Sequence, residues 1–246
     1  MKSQERHKLK ENEFPKTVMH ATGALESRRR DLIWGLIVVV ALLAAVGGYM
    51  AWRQSRANRA TESLATALAI YQSPVVPMAA PAPGSPAPVQ QPGTYLTEEA
   101  KNQAALPRFM ETADRFPAAD AGITARFYAA GILASLGRYD EAEQRYQEVV
   151  SRAGTSIYSR TARLGLADAQ VAQKKFDSAI KIYTDLSRDT ASQMPADGVL
   201  MQLGRACVLA GRKDEAVSAF TRVTEEFPES MYAEDAKQAL AEARKS

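Results

Sequence analysis

The groups with which this chain could do chemistry are few. It has two histidines, His7 and His20, both near the N-terminus, and a single cysteine, Cys207. Beyond His20 no imidazole is available to serve as a general base, to complete a nucleophile pair or to ligate zinc. Cys207 has no partner for an internal disulfide and sits at a helix position that reads as core, so its expected role is inert packing. A lone cysteine is compatible with an oxidising compartment. Adjacent carboxylates such as Asp140-Glu141 and Asp214-Glu215 have the composition of a glycosidase pair. However, Asp140, Asp177 and Asp214 recur at an interval of 37 residues, which marks them as helix starters rather than catalysts. There is no glycine-rich phosphate loop. The chain is expected not to be an enzyme and to require neither metal nor cofactor.

The elements that carry these carboxylates repeat with them. Ala142, Ala179 and Ala216 stand two residues after each aspartate, and Tyr146, Tyr183 and Phe220 four residues further on. A fixed period of this length predicts a solenoid of helix pairs, each too small to bury its apolar face alone. In the clearest unit, Leu203, Gly204, Cys207 and Val208 fall on one helical stripe, and Gly211 follows as a left-handed stop. Asp214 stands where a second helix should be capped, Ala216, Phe220 and Val223 form its apolar face, and Pro228 ends it. Ala216 is small because two helices cross closely there.

These residues resemble the tetratricopeptide (TPR) repeat, through Leu203-Gly204, Gly211, Ala216, Phe220 and Pro228 at that family's relative spacing. The preceding units carry Gly137, Tyr139, Ala142 and Tyr146, then Phe176, Ala179 and Tyr183, with Ala130 replacing a first glycine and Lys174 a turn glycine. The 37-residue interval exceeds the family's usual length by about three residues, placed between hairpins. One interval earlier, Ala105, Phe109 and Arg115-Phe116-Pro117 mark the second helix of a further unit, which Pro107 should start or kink. Its first helix is expected at Asn58–Tyr71, and Ser230–Lys245 is expected to cap the open end. The fold class is thus all-α: one N-terminal transmembrane helix, then a TPR-type solenoid of about three full hairpins, one split repeat and a capping helix.

Leu32–Trp52 is a run of 21 residues without a charge, about 31 Å long as a helix. Trp34 and Trp52 lie at its ends as interfacial anchors, flanked by Arg28, Arg29 and Arg30 on one side and Arg53 and Arg56 on the other. Eight Lys/Arg precede the run and three follow it closely, which places the N-terminus in the cytoplasm and the repeats outside. From residue 94 onward there are 20 Lys/Arg against 22 Asp/Glu, so the repeats carry no basic face for nucleic acid, and the overall +3 comes from the leader and membrane flank. Ser73–Gly93 holds seven of the twelve prolines and is expected to be an extended insertion within the first repeat. The expected organisation is a cytoplasmic basic leader (1–31), a transmembrane helix (32–52), a juxtamembrane helix (53–72), a Pro/Ala-rich insertion (73–95) and a TPR domain (96–246).

The resemblance implies a concave groove lined by the first helix of each hairpin. Phe127, Leu164 and Met201 take equivalent positions, with Thr124, Thr161, Val171, Arg205 and Val208 nearby. Such a groove is mostly apolar, and it lacks the Lys and Asn clamp for a terminal carboxylate, having Phe127, Gly131 and Gly198 at those places. It suits an amphipathic or extended hydrophobic segment; the alternative is that Phe127, Leu164 and Met201 are core. The whole layout is similar to the single-pass ancillary SecYEG translocon subunit family of bacterial inner membranes. That resemblance implies a periplasmic TPR domain whose partners are translocon components, chaperones and exported or envelope proteins. A structural subunit of a stable envelope complex is the alternative, and homo-oligomers could form through Ala44 and Gly48 in the span.

Overall fold

The computed structural model describes residues 29–78, 90–154, 157–189 and 195–245. The leader up to Arg28, with both histidines, and the middle of the proline-rich insertion lie outside the described residues. Helix α1 runs from Arg29 to Tyr71. Its residues through Arg56 belong to one compact unit, and Ala57 onward to a second unit that holds everything else described. In the first unit the helix is long and apolar enough to cross a membrane. Ile33, Trp34, Leu36, Val40, Leu43 and Tyr49 are all exposed, so apolar side chains cover its whole circumference. The indole of Trp52 lies 6.1 Å from the ring of Tyr49 and 5.5 Å beneath the Arg56 guanidinium.

The second unit begins with the last turns of α1. These are followed by α2 (Glu98–Arg115), α3 (Asp120–Ser135), α4 (Tyr139–Arg152), α5 (Ile157–Ala172), α6 (Phe176–Arg188), α7 (Ala196–Leu209), α8 (Lys213–Glu226) and α9 (Ala233–Lys245). From α2 to α9, each helix packs on the next in chain order, and α3 also touches α5, as in a solenoid of helix hairpins. Ala60 and Ala67 of α1 are fully buried, and Ser63 Oγ lies 2.7 Å from Thr112 Oγ1 of α2. The first hairpin is therefore split, with α1 supplying one helix and α2 the other. Between them, Val75 and Tyr95 form a parallel bridge through Val76 N–H to Tyr95 O and Tyr95 N–H to Pro74 O, closing the base of the insertion.

Small residues allow the close packing. Ala142, Ala179 and Ala216 have no exposed surface. A Cβ on Gly204 would lie 2.3 Å from the Phe220 ring, and one on Gly165 2.4 Å from the Tyr146 ring. The tightest approach is at Gly122, where a Cβ would meet the Phe116 carbonyl oxygen at 1.8 Å.

All three hairpin turns are built alike. Gly137, Lys174 and Gly211 adopt left-handed φ of 74°, 62° and 74°. The next residue in each, Arg138, Lys175 and Arg212, donates its N–H to the carbonyl five back, at 2.9, 2.8 and 2.8 Å. This closes the end of the first helix and opens the second. Lys174 thus takes a glycine conformation without being glycine.

Two sequence expectations require correction. The aspartates Asp140, Asp177 and Asp214 do not cap their helices: Arg138, Lys175 and Arg212 hold the cap positions, and no side chain caps those first turns. The aspartates are the second residue of each helix, two beyond the cap, where a negative charge favours the helix dipole. The cap arginines pair with acids instead, Arg138 with Glu141 at 2.7 Å and Arg212 with Glu215 at 3.2 Å. Pro107 does not start α2, which begins at Glu98 with Thr97 accepting from Ala100 N–H at 3.0 Å. Pro107 and Gln103 are both exposed, so water can replace the hydrogen bond that the proline removes.

A buried arginine ties the second repeat to the first. Arg126 is 2% exposed; its Nη2 donates to Ala113 O at 2.8 Å and its Nε lies 2.6 Å from Glu148 Oε2. Burial lowers its pKa, against the opposing pull of Glu148. Arg163 and Asp185, one interval on from Arg126 and Glu148, are 3.6 Å apart. In the last repeat Leu200 takes the arginine's place and is fully buried.

Candidate protein-binding face

Helices α3, α5 and α7 are the first helices of the three full hairpins, and they carry all eight residues expected in the groove. Phe127 is half-buried between the rings of Tyr128, Tyr146 and Tyr158, at centroid distances of 6.0, 6.1 and 5.7 Å. Leu164, Thr161 and Val171 are half-buried on α5. Val208 is 53% exposed, and Arg205 is exposed with its guanidinium 3.9 Å from Asp235 on α9.

Two of the eight are core rather than surface. Met201 is 2% exposed and belongs to the same cluster as Tyr232, Ala236 and Leu240, because the C-terminal segment covers the last repeat. Thr124 is 9% exposed, since the close approach of Gly122 to Phe116 draws the first turn of α3 onto the end of α2. Of the repeat residues, Gly204 makes the close approach to Phe220, while Gly137 and Gly211 supply the left-handed turns. Of the residues expected to be membrane anchors, Trp34, Trp52 and Arg30 are exposed on α1. Arg29 opens that helix, and Arg28 lies outside the described residues.

The structure adds a residue that sequence reasoning passed over. Asp168 stands one interval after Gly131 and one before Arg205, so the register that selected Arg205 also points to it. Its Oδ1 accepts a hydrogen bond from the Tyr183 hydroxyl, reaching across from α6. Burial pushes the Asp168 carboxyl above the usual carboxylate range, and the hydrogen bond from Tyr183 only partly opposes this. Yet the residue is exposed by surface area. Asp168 is thus an exposed carboxylate on the same helix as Leu164 and Val171, oriented by the phenol of Tyr183. The Tyr146 hydroxyl, which lies against Gly165 of α5, is pushed up to about 12 by burial and then by Asp168 and Tyr71. Among the described residues no ion pair reaches Asp168, whereas Asp114, Glu143, Glu148 and Asp177 all have cationic partners.

Two clefts of about 320 and 330 Å³ open elsewhere. One, among α6, α7 and α8, sets Arg188 and Arg222 against Asp214 and Glu215; the other lies between Arg59 of α1 and Arg108 and Arg115 of α2. Cys207 is buried and its thiol is pushed up to about 11, chiefly by burial, so it stays protonated near neutrality. Among the described residues no group of His, Cys, Asp and Glu is placed to hold a metal ion.

The sequence matches the family described as a tetratricopeptide repeat-like domain over residues 30–230. Two similar solved structures come from Podosopora anserina, both of nearly identical TPR-like repeats described as kinesin light chain, one of them a glutamine-to-methionine variant. Each is 15% identical and covers 59% of this chain and 78% of its own, with TM-scores of 0.51 for the variant and 0.52 for the other. At that identity the likeness concerns the fold alone. No curated protein is similar enough to the chain to be matched.

Proposed function

The chain belongs to the tetratricopeptide repeat-like family, and on that premise we propose that it is a non-enzymatic adaptor, anchored in a membrane by α1, that binds proteins on the face of α3, α5 and α7. The observation that carries this reading is the composition of that face. It presents Phe127, Leu164, Val171 and Val208 with only Asp168 and Arg205 as charges among the positions in register with them. A partner helix or an extended apolar segment fits such a face.

Membrane anchoring is supported by the apolar circumference of α1, which water would not tolerate over so large a contiguous surface. The excess of Lys/Arg before the span favours a cytoplasmic N-terminus, with the repeats on the outer side of a bacterial inner membrane. The single-pass layout favours work beside the Sec translocon, together with chaperones, on exported chains.

In-cell photo-crosslinking from Phe127, Leu164, Val171 and Val208, with the buried Met201 as a silent control, tests the reading. Products containing translocon components, chaperones and many exported chains are expected. One dominant stoichiometric partner would instead indicate a structural subunit of an envelope complex. No products from any of the four exposed or half-buried positions would refute the assignment of this face.

A further inference from the structure

Most acids in the repeat stack have a cation beside them; Asp168 has tyrosines. The Tyr183 hydroxyl occupies its Oδ1, and the Tyr146 hydroxyl lies against Gly165, three residues before Asp168 on α5. The cation nearest in register, Arg205, is turned toward Asp235 on α9. Beside Asp168 in register, Gly131 leaves room, because a Cβ there would meet only the Tyr146 hydroxyl, at 3.6 Å. An exposed carboxylate oriented by a phenol, with no counter-ion among the described residues, is electrostatically incomplete. Its complement is a cation brought by something else.

We propose that this face takes an extended segment of a partner protein bearing an arginine or lysine among apolar residues. The cation pairs with Asp168, and the apolar side chains lie against Phe127, Leu164, Val171 and Val208. The proposal rests on the reading of this face as the partner-binding surface, and it adds the chemistry that selects the partner. An apolar face alone accepts many segments, whereas a single carboxylate among apolar residues admits a cationic side chain and rejects an acidic one.

The test uses the full chain in detergent micelles and fluorescein-labelled nonapeptide pools. The flanking positions are mixed from Leu, Val, Ala and Ser, and the central residue is fixed as Arg, Gln or Glu. Binding is read by anisotropy after subtraction of empty micelles. The Arg pool is expected to bind about tenfold more tightly than the Gln pool, and the Glu pool more weakly than either. Asp168→Asn, which keeps an oxygen for the Tyr183 hydroxyl, should erase the Arg preference, so that the Arg and Gln pools bind alike. Asp168→Arg should move the preference to the Glu pool. Equal binding of the Arg and Gln pools by the native chain overturns the proposal, as does an Arg preference that survives Asp168→Asn. If no pool binds the native chain, the reading of the face falls and this proposal falls with it. Binding without charge preference removes only the role of Asp168.

Discussion

Replacing Lys174 with glycine should stabilise the protein, although it removes a whole side chain. Lys174 sits at φ 62° between α5 and α6, where the equivalent residues of the neighbouring hairpins are Gly137 and Gly211. Its side chain is exposed and makes no described contact, while its N–H donates to Val171 O at 2.9 Å, a bond that glycine retains. The left-handed conformation costs a non-glycine residue about 1–2 kcal/mol. Glycine's greater freedom in the unfolded chain takes back about 0.5–1 kcal/mol. The net gain is therefore about 0.5–1 kcal/mol, which for a chain of this size raises Tm by about 1–4 °C. Lys174→Asn should gain about half as much, because asparagine tolerates this conformation better than lysine but less well than glycine. Lys174→Ala should gain nothing, since alanine keeps the strain. Thermal melts followed by circular dichroism at the helix band measure all three. Hydrogen exchange should place the Lys174→Gly gain in α5 and α6, because solenoid stability is a sum over neighbouring units. Equal stabilisation by alanine and glycine would refute the reasoning, since it would mean that the lysine side chain and not the backbone was the source of strain.

Gly204→Ala should destabilise by about 1–3 kcal/mol because the Phe220 ring must move. Gly122→Ala should cost more, because the Phe116 carbonyl in its way is held by Ala119 N–H at 3.1 Å; denaturant midpoints in the reverse order would contradict this. Glu148→Ala should be more damaging than Arg126→Met, about 3 against about 1 kcal/mol. The first leaves a buried guanidinium with Ala113 O and a distant Asp114 carboxylate at 4.0 Å, while the second frees a carboxylate that is 38% exposed and can return to water; urea titrations of the two variants decide. For Asp168 the folded state holds its proton more readily than the unfolded state, so stability falls as pH rises from the ordinary carboxylate value through the raised one, and is level above it. Asp168→Asn should therefore match the native chain at low pH and exceed it near neutrality. A variant that is less stable at neutral pH than at acid pH, relative to the native chain, would show that the carboxylate is not desolvated.

The periodic features were legible in the sequence because they depend on spacing alone. Ala142, Ala179 and Ala216 had to be small wherever helices cross, and the three turns had to fall in one register, even where Lys174 replaced glycine. The caps were misread because aspartate is a common helix starter, whereas here the basic residues Arg138, Lys175 and Arg212 occupy that place and take their acids from inside the helix or from the neighbouring repeat. Arg126 was missed although its signal was present: Arg126 and Arg163 repeat at the same interval, each with an acid 22 residues later. Within the groove, register identifies equivalent backbone positions but not what covers them. Met201 is equivalent to Phe127 and Leu164, yet only Met201 lies under the C-terminal segment. Asp168 was overlooked because a tyrosine in the repeat signature reads as an apolar ring, and its hydroxyl matters only when it meets a polar neighbour.

The series Gly131, Asp168, Arg205 has a last consequence. In three successive repeats the same backbone position holds no side chain, then a negative one, then a positive one. A surface built by strict repetition would carry the same charge at every step, and its charges would leave a strand laid along it free to slide. This one does not, because the two ends differ in sign and in bulk. A segment bound as proposed, with its charge off-centre, would fit in one orientation and clash or lose its pairing in the other. The repeat architecture supplies the length of the track, and the breaks in its repetition supply an arrow.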